Sequence, residues 1–517
     1  MPRYAAVDIG SNSVRMLAAE VDAAGQTRVL AEERSVTRLG ASVFQYGRIS
    51  DDAMEFVCQV LANMAQAYRK HDVLAVRAVA TAAVRDASNQ HEFLDRASVA
   101  LGSRVETISG QEEARLIHLG VQSSWPHPQR RLLIVDVGGG SMELILSDHG
   151  ELAAAYSKPL GAVRLTEVFL KHDPPAPEEL RRVQEYIDEK IAPALRRIGP
   201  RQFDRVIATS ATAAAVVCAV NRIPRPRRDA ADRLKATTAQ VRRFFREVSE
   251  ENLAARRKAQ GIGPRRAEII VAGTAVFLRV LEIFEAQALY YSAAGVRDGI
   301  IADLFARGAG RELASLGRDQ RRTVEEMARR YGVSIPHVRK VAALAGELFH
   351  QLEPLHRLPP PYGRLLEAAG FLHDIGHFVS DSSHHKHSQY LVANSDMPGF
   401  TDDERHLIAL LCRFHRKSMP SARNPGFETL SPDDRRGVLL LTPLLRIADS
   451  LDRSHEQRVE AIETAQRDGG VTINLRAAKD VDLEVWAADR VADQFRQIYN
   501  MPVGFTRVRA EAARQSK

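Results

Sequence analysis

One phrase occurs twice in the first third of the chain and limits the folds that the chain can adopt. Ala6–Ser13 reads Ala-Val-Asp-Ile-Gly-Ser-Asn-Ser, and Ile134–Ser141 reads Ile-Val-Asp-Val-Gly-Gly-Gly-Ser. In each copy an apolar run ends in an aspartate, which glycine and a hydroxyl follow. This pattern is typical of a strand that delivers a carboxylate to a tight loop whose backbone N–H groups can approach phosphate oxygens. Two copies about one half-domain apart predict a duplicated fold that closes around a polyphosphate.

The length and composition of the chain indicate a multidomain globular protein. At 517 residues the chain is too long for one hydrophobic core. No apolar run approaches the roughly 20 residues that span a bilayer, and the start, Met-Pro-Arg-Tyr, lacks the apolar region of a signal peptide. We therefore expect a cytoplasmic location and no membrane partner. The three cysteines lie far apart and give neither a disulfide framework nor zinc spacing.

The positive charge is concentrated in one segment. Between Arg222 and Arg266 there are 14 Lys and Arg residues against five Asp and Glu residues, whereas the net charge of the whole chain is +7. Two interpretations stay open, a track for a polyanion and a solvated helical face next to a Pro-rich loop. Phe244 and Phe245 are the aromatic residues of the segment, so the stretch offers little base stacking, and we expect no specific nucleic acid partner.

The hydrophobic patterns change along the chain and predict four regions. Strand and helix patterns alternate over 1–125 and again over 126–305, which predicts two α/β subdomains of a duplicated fold with a central cleft. The region 306–460 has almost continuous helical periodicity and predicts an all-α domain. In 461–517 alternation returns at Val471–Leu475 and Val481–Val485, which predicts two strands in a small α+β appendage.

Two neighbouring acids follow Ser109. Ser109 and Glu112 have the spacing of a capping box, which assigns Glu112 to the start of a helix. Glu113 has no such assignment, and a carboxylate near a helix N-terminus beside a phosphate cleft can orient and deprotonate a water molecule. The alternative is an ordinary first-turn acid that the helix dipole favours. On the residues alone, Glu113 is therefore the candidate for the catalytic base.

The phosphate-binding residues are predicted from the two glycine loops and from the segment after a strand at Leu74–Ala80. Three successive glycines are costly in conformational entropy and usually mark close approach of the backbone to a ligand. Arg85 could grip phosphate oxygens with its forked guanidinium. The predicted set comprises Asp8, Gly10, Ser11, Asn12, Ser13, Thr81, Arg85, Gly138, Gly139, Gly140 and Ser141.

Taken together, these segments resemble the exopolyphosphatase/guanosine pentaphosphate phosphohydrolase (Ppx/GppA) family, in its long form with a C-terminal HD-type domain. The resemblance extends in order over about Tyr4 to Asp303. The matching segments are Val7–Ser13, Thr81–Arg85, Ser109–Ile117, Asp136–Leu144, Arg266–Gly273 and Ser292–Gly299.

The resemblance implies an actin-like, sugar-kinase-like (ribonuclease H-like) duplicated α/β fold. It also implies removal of a terminal phosphate from inorganic polyphosphate, or of the 5′ γ-phosphate from guanosine pentaphosphate. By the same resemblance Glu113, Asp136 and Glu143 are the catalytic acids. Glu113 is the base, and Asp136 and Glu143 are linked to phosphate and to a divalent metal, Mg²⁺ or Mn²⁺. One position departs from the family: Ala211 stands where a Gly-rich Ser-Gly-Thr turn is usual, which disfavours a positive φ and puts contacts there in doubt.

The helical region carries a second candidate site. His373 and Asp374 are adjacent, with His337 upstream and Asp449 downstream, and such groups from separate helices can ligate one metal or a bridging pair. This arrangement resembles the HD superfamily of metal-dependent phosphohydrolases. Further candidate ligands or phosphate contacts are His384, His385, His387 and His415.

The same region resembles the C-terminal domain of long exopolyphosphatase family members, through His385–Tyr390 and Arg413–Lys417. In several of those members the four metal positions are degraded, and the domain helps to bind polymer and to form a homodimer. Here all four are intact, so we predict a site that can take up a divalent metal rather than a second catalytic activity. The alternative is a structural cluster of hydrogen-bonded histidines.

The function that we predict is an exopolyphosphatase, which releases terminal orthophosphate from inorganic polyphosphate by metal-assisted attack of water. The nearest alternative is guanosine pentaphosphate 5′-phosphohydrolase, which is the same chemistry on a nucleotide. A sugar-kinase-like phosphotransferase would need an adenosine pocket and an acceptor site that the sequence does not reveal. A non-catalytic sensor of polyphosphate or nucleotide is disfavoured by the intact acids Glu113, Asp136 and Glu143.

Overall fold

The computed structural model describes residues 1–307, 315–467 and 469–509. The chain forms two compact units, Met1–Gly310 and Arg311–Lys517. We describe each unit separately, and we propose 1–125 and 126–305 as the two halves of the first.

The first unit contains two sheets with the same topology. The strands are β1 (Arg3–Ile9), β2 (Val14–Val21), β3 (Thr27–Ser35), β4 (Ala75–Ala80), β5 (Val105–Thr107), β6 (Arg131–Val137), β7 (Met142–Asp148), β8 (Glu151–Lys158), β9 (Arg205–Thr209), β10 (Lys235–Thr237) and β11 (Ala288–Tyr291). Within the described residues the two sheets have five and six strands, in the orders β3-β2-β1-β4-β5 and β8-β7-β6-β9-β11-β10. In each sheet the first strand pairs antiparallel with the second and parallel with the fourth. This repeated order agrees with the predicted duplication of an α/β fold.

The helices of this unit pack on both sheets, and apolar residues buried between helix and sheet form its cores. A 3₁₀ segment covers Arg225–Ala231. The α-helices are α1 (Leu39–Tyr46), α2 (Asp51–Arg69), α3 (Ala82–Asp86), α4 (Gln90–Leu101), α5 (Gly110–Ser124), α6 (Ala162–Phe169), α7 (Pro177–Ile198), α8 (Ser210–Val220), α9 (Thr238–Glu250), α10 (Leu253–Arg256), α11 (Ile270–Ile283) and α12 (Val296–Ala306).

Helices α5 and α12 lie between the two sheets. Leu116 of α5 is buried against the first sheet, and Ile117 of the same helix is buried against the second. The two helices cross at glycines, because a Cβ atom on Gly299 would lie 1.8 Å from the carbonyl oxygen of Leu116, and one on Gly120 would lie 2.2 Å from that of Gly295. Helix α5, whose first turn contains the predicted base Glu113, therefore touches both halves of the duplication.

The second unit is an α-helical bundle followed by a small sheet. A 3₁₀ segment covers Ile375–Phe378. The helices are α13 (Arg318–Arg330), α14 (Ile335–Gln351), α15 (Glu353–His356), α16 (Pro361–Leu372), α17 (His384–Ala393), α18 (Asp402–Phe414), α19 (Pro432–Ser450), α20 (Asp482–Asp489) and α21 (Ala492–Tyr499), and the strands are β12 (Ala461–Arg467), β13 (Gly470–Ala477) and β14 (Val503–Arg509). The sheet of this unit has the order β12-β13-β14, in which β13 and β14 are parallel.

One predicted strand is wrong. Val471–Leu475 lies in β13, but Val481–Val485 runs into α20. Val481 and Val485 are four residues apart, so their spacing suits one face of a helix as well as an alternating strand, and a run of five residues does not separate the two. Within the described ranges, no helix combines the length and the apolar character needed to cross a membrane.

Candidate active site

The two copies of the phrase form equivalent hairpins. Each aspartate lies near the end of its strand, and the loop closes with a backbone hydrogen bond from Gly10 to Ser13 in the first copy (3.1 Å) and from Gly138 to Ser141 in the second (3.0 Å). The sheet register places Arg15 opposite Asp8, and Glu143 opposite Asp136. The duplication therefore extends to the hydrogen bonding of the loops but not to the side chain opposite the aspartate.

The two loops face one cavity of about 400 Å³ in the first unit. Arg85 and Glu143 are the two predicted residues of this unit that do not line it. Those that line it are Asp8, Gly10, Ser11, Asn12, Ser13, Thr81, Glu113, Asp136, Gly138, Gly139, Gly140 and Ser141.

The glycines of the second loop are also required by the first loop. A Cβ atom on Gly139 would lie 3.0 Å from the Cβ of Ser11, and one on Gly140 would lie 2.6 Å from the Oγ of Ser11. A Cβ on Gly138, in contrast, would meet only the carbonyl oxygen of Ser141, at 3.4 Å. Close packing of the two loops thus explains two of the three glycines, beside the approach to a ligand that the sequence predicts.

Three acids gather behind the loops. Glu113 and Glu143 are 7% and 0% exposed, and Asp136 accepts a hydrogen bond from the hydroxyl of Thr209. Burial, together with the charge of Asp136, raises the pKa of Glu143 to about 8. Burial and then the charge of Glu143 raise the pKa of Glu113 well above its ordinary value. Burial also raises the pKa of Asp136. The positive groups near these three acids therefore do not fully balance the negative charge of their carboxylates.

One oxygen of each glutamate is left without a hydrogen bond. Oε2 of Glu113 and Oε2 of Glu143 are buried and have no hydrogen-bond partner in the described part of the chain. The other side of Glu143 is held, because the hydroxyl of Ser157 donates to its Oε1 at 2.8 Å. Buried polar atoms without partners are uncommon, and a water molecule or an ion is the usual occupant of such a site. Carboxylate oxygens are also the ligands that Mg²⁺ and Mn²⁺ prefer.

The side chains of Arg85 and Glu112 make contacts other than those that the sequence predicts. Arg85 donates to the carbonyl oxygen of Ile108 at 2.6 Å, and its Nη1 is 3.8 Å from Oε2 of Glu113, so it faces the predicted base.

Ser109 caps α5 by accepting from the backbone N–H of Glu112 at 3.2 Å, as predicted. The carboxylate of Glu112, however, accepts from Arg77 and Arg115 in a buried cluster that also contains Asp303 and Glu106. Glu112 is thus part of an ion cluster beneath the site.

Arginines are the residues that the sequence reasoning missed. Arg15 and Arg34 stand opposite each other on β2 and β3, and both line the cavity. Although Arg34 is exposed, desolvation beside the cavity, with the charges of Arg15 and Arg228, lowers its pKa to about 9. Burial lowers the pKa of Arg266 to about 9 as well, with help from the charge of Arg34. Arg297 completes the set in the same cavity. An arginine within an apolar strand such as β2 is the signal that could have found Arg15.

A second cavity of about 480 Å³ adjoins the first and shares Arg34, Arg228 and Arg266 with it. Arg225 and Arg265 also line this second cavity. Four of these arginines come from the basic segment between Arg222 and Arg266. Like charges placed together are unfavourable without a counter-ion, so the two cavities are suited to a chain of anionic groups.

The backbone of Ala211 agrees with what the sequence predicts for an alanine at this turn. The positive φ, of 85°, belongs to Ser210, and Ala211 has no positive φ. The methyl group of Ala211 lines both cavities, and its residue is 4% exposed. A serine in a left-handed conformation is strained, and the Oγ of Ser210 accepts from the backbone N–H groups of Thr212 (3.2 Å) and Ala213 (3.4 Å).

In the second unit, the predicted metal ligands come together. His337 Nε2 lies 3.6 Å from Oδ1 of Asp449 and 3.9 Å from Oδ2 of Asp374, and His373 Nε2 lies 3.5 Å from Oδ1 of Asp449. His337, His373 and Asp449 have the spacing of a group that could hold a metal ion. Burial would lower the pKa of His337, but Asp449 and Asp452 raise it to about 9. The carboxylates therefore need a positive charge between them. Of the further histidines, His384 and His415 line the adjoining cavity.

Comparison with known proteins gives a consistent picture. The model of the Ppx/GppA phosphatase family matches residues 18–307, and that of Ppx/GppA phosphatase, domain III, matches residues 320–492. A guanosine-5′-triphosphate,3′-diphosphate pyrophosphatase of Vibrio vulnificus is 28% identical over 472 residues, which is 90% of each chain.

Among solved structures, the Ppx/GppA family member of Aquifex aeolicus is 32% identical, with a TM-score of 0.52 over 60% of this chain and 99% of that one. An exopolyphosphatase of Cytophaga hutchinsonii is 24% identical, with a TM-score of 0.55 over 59% of this chain and 98% of that one, and this likeness concerns the fold alone.

Proposed function

Because the chain belongs to the Ppx/GppA phosphatase family, we propose that it is an exopolyphosphatase, which releases orthophosphate from the end of inorganic polyphosphate. The observation that supports this proposal most strongly is the pair of adjoining cavities. Asp8, Glu113 and Asp136 line the first, and five arginines, Arg34, Arg225, Arg228, Arg265 and Arg266, line the second.

In the proposed reaction, water attacks the terminal phosphorus and the bridging P–O bond breaks. The carboxylate of Glu113 accepts the proton of the attacking water, and the shortened chain leaves with the bridging oxygen. Backbone N–H groups of the two loops and the guanidinium groups of Arg15 and Arg297 compensate the charge that the transition state spreads over the phosphate oxygens.

Asp136 and Glu143 would hold the divalent metal in this proposal. Their oxygen donors suit Mg²⁺ or Mn²⁺, and Oε2 of Glu143 is buried without a hydrogen-bond partner in the described residues. When bound, the ion would neutralise phosphate charge and orient the terminal group. Thr209 and Ser157 hold the two acids in place by donating to Asp136 and Glu143.

The lining of the second cavity favours a polymer over a nucleotide. Within the described residues, this cavity is lined by neither an aromatic residue nor a carboxylate that could stack on guanine or bind its N–H groups. Guanosine pentaphosphate stays the second candidate substrate, because the relative from Vibrio vulnificus carries the corresponding name, and because clustered arginines could also grip a 3′-diphosphate.

The test measures orthophosphate release from long-chain polyphosphate and from guanosine pentaphosphate, each with and without Mg²⁺. We expect kcat/KM to be higher for polyphosphate and activity to depend on Mg²⁺. A higher kcat/KM for guanosine pentaphosphate would replace the first candidate by the second. If neither substrate loses its terminal phosphate, both candidate functions are rejected.

For the second unit, we propose uptake of a divalent metal at His337, His373, Asp374 and Asp449.

A further inference from the structure

The two cavities of the first unit meet where they share part of their lining. The residues that line both are Asn12, Arg34, Ala211, Arg228 and Arg266. We name these five residues the junction. Four of them carry an amide or a guanidinium group that can donate to phosphate oxygens. The methyl group of Ala211 is the one apolar side chain of the junction in the described part of the chain.

The methyl group of Ala211 has a fixed position. A methyl group has no rotamers, so its place follows from the backbone at the start of α8. Ser210 holds that backbone, because its Oγ accepts from the backbone N–H of Thr212 at 3.2 Å. The preceding residue, Thr209, donates from its hydroxyl to the carboxylate of Asp136. The first turn of α8 is therefore tied to one of the predicted catalytic acids.

Packing behind α8 keeps this helix from receding. A Cβ atom on Gly273 of α11 would lie 2.4 Å from Cγ2 of Thr212, so the two helices already touch at this glycine. The hydroxyl of Thr212 also accepts from Nη1 of Arg266 at 3.2 Å. Ala211 itself is buried. Because the space behind the helix is filled, a ligand does not gain room at the junction by pushing α8 back.

The backbone on the opposite side of the junction is held as well. The carbonyl oxygen of Asn12 accepts from the backbone N–H groups of Thr37 and Arg38, both at 3.2 Å. A Cβ atom on Gly139 would lie 3.2 Å from the backbone nitrogen of Asn12, so the second glycine loop packs directly against it. Asn12 therefore does not withdraw from Ala211.

The arginines of the junction behave differently from Ala211. Arg34 is exposed, and Arg228 and Arg266 are half-buried. Arginine side chains rotate about several bonds and can direct their guanidinium groups to phosphate oxygens, whereas a methyl group neither moves nor donates. The junction therefore attracts anionic groups, and Ala211 limits its width.

The two candidate substrates differ in shape where they would cross the junction. Polyphosphate is unbranched, so each inner phosphate has one link towards the first cavity and one towards the second. Guanosine pentaphosphate is branched, because its ribose carries the 5′-triphosphate, the 3′-diphosphate and guanine on three different carbons. With its 5′ end at Glu113, the ribose and its two other substituents lie further out and need more width than a linear chain.

We propose that Ala211 determines the substrate specificity of the first unit, because its methyl group admits an unbranched phosphate chain through the junction and restricts a nucleotide that branches there. The inference rests on the proposed hydrolysis at Glu113 and specifies the class of substrate that this site accepts. One methylene group in a tight site typically changes kcat/KM by about 10- to 200-fold, so a single methyl group is enough to separate the two substrates.

The experiment measures kcat/KM for guanosine pentaphosphate, tripolyphosphate and long-chain polyphosphate, each with Mg²⁺, in the parent protein and in Ala211→Gly. We expect the ratio of kcat/KM for guanosine pentaphosphate to that for tripolyphosphate to rise about tenfold or more in the variant. The values for both linear substrates should change little. Because Thr209 joins the start of α8 to Asp136, kcat for tripolyphosphate also reports any displacement of that acid.

Three further variants on α8 separate the junction from the helix. Ala214→Gly is the matched control for a weakened helix, since Ala214 lies outside both linings, and it should keep the parent ratio. Ala215 lines the second cavity but not the first, so Ala215→Gly should raise the ratio less than Ala211→Gly does. Ala211→Ser keeps nearly the size of the side chain and adds a hydroxyl, so its ratio should stay close to that of the parent.

Three results would overturn the role of Ala211. The first is an unchanged ratio in Ala211→Gly. The second is an equal rise in Ala214→Gly or in Ala215→Gly, which would place the cause in the helix or in the second cavity. The third is an equal rise in Ala211→Ser, which would show that the size of the side chain is not the cause.

A binding measurement separates this inference from the proposed function. Isothermal titration calorimetry in the Glu113→Gln background gives the Kd of guanosine pentaphosphate and that of tripolyphosphate with little turnover. Adding Ala211→Gly should lower the first Kd about tenfold and leave the second nearly unchanged. If the parent protein prefers guanosine pentaphosphate, the exopolyphosphatase proposal fails, and the change in Kd still decides the role of Ala211. Binding of neither ligand would overturn both proposals.

Discussion

The two hairpins of the first unit share a backbone and differ in the row of side chains that crosses their sheets. In the first copy the register places Asp8, Arg15 and Arg34 in one row. In the second copy the equivalent row is Asp136, Glu143 and Ser157. One row therefore continues from its aspartate into two cations, whereas the other continues into an acid and a hydroxyl that donates to it.

This difference shows how a duplicated fold can divide one task between its halves. The aspartate and the loop closure are common to both copies, and both aspartates line the cavity. The residue opposite the aspartate decides the chemistry: Arg15 and Arg34 supply positive charge for phosphate, and Glu143 supplies a buried oxygen for a metal or a water molecule. The following experiments test this division.

The largest effect is expected for Glu113→Gln, which belongs to neither row and faces both. The amide keeps the shape of the side chain but cannot accept the proton of water, so kcat should fall about 10²- to 10⁴-fold while KM changes little. Steady-state kinetics on polyphosphate measure both constants.

Glu112→Gln is the matched control for that variant. Glu112 is 4% exposed and pairs with Arg77 and Arg115, so this change should cost about 3 kcal/mol of folding free energy with kcat nearly unchanged. Equal losses of kcat in the two variants would show that Glu113 is wrongly assigned as the base.

The second effect separates the two rows by their kinetic constants. Arg34→Gln should raise KM about tenfold and leave kcat nearly unchanged, because a charge-assisted contact to phosphate is worth about 1.5–3 kcal/mol. It should also leave the unliganded protein slightly more stable, since Arg34 faces Arg15 across the strands. Glu143→Gln should lower kcat instead. A KM effect of the same size in both variants would remove the proposed division.

The third effect is a dependence on pH. Burial raises the pKa of Glu143 to about 8 and that of Glu113 well above 4.5, so activity should rise through the range pH 7–9, and Mg²⁺ should move this rise to lower pH. A carboxyl with a raised pKa stabilises the fold at low pH and loses this contribution as the pH passes its folded value. Thermal melts should therefore show Glu143→Gln gaining stability over the parent at pH 9 but not at pH 4.

The smallest effect concerns the basic segment and substrate length. Arg225 and Arg265 line the second cavity but not the first, whereas Arg227 lies outside both linings. The double variant Arg225→Gln/Arg265→Gln should raise KM several-fold for long polyphosphate and hardly at all for a short oligomer, and the difference should shrink at high salt. Arg227→Gln is the control. A length series that shows the same loss at every length would place these arginines in the catalytic site or the core.

Residues near each other in sequence were the ones that could be predicted. The Asp-Gly loops, the N-cap at Ser109 and the pair His373-Asp374 have local signals. Arg34 required the register of three strands, because it meets Arg15 only across a sheet. Spacing in the sequence does not predict contacts in the folded chain between side chains such as Glu112 with Arg77 and Arg115. The contact of His337 with Asp452 is a further example.

The positive φ of Ser210 has no local signal of this kind. The sequence shows only that the usual glycine is absent at Ala211, and the hydroxyl of Ser210 accepts backbone hydrogen bonds that support the turn. The strand predicted at Val481–Val485 failed because its spacing is ambiguous over so few residues.

The glycine crossing of α5 and α12 has a consequence for motion. With backbone against backbone at Gly299 and Leu116, no side chain separates the helices, so they can turn about this point more easily than they can part. Asp8 and Asp136 lie on different sheets, and Glu113 lies on the helix between them. A small rotation about the crossing would change the distance between the two aspartates while Glu113 stays close to the pivot. The cleft would then open to admit a polyphosphate chain and close on each new chain end, around a base that hardly moves.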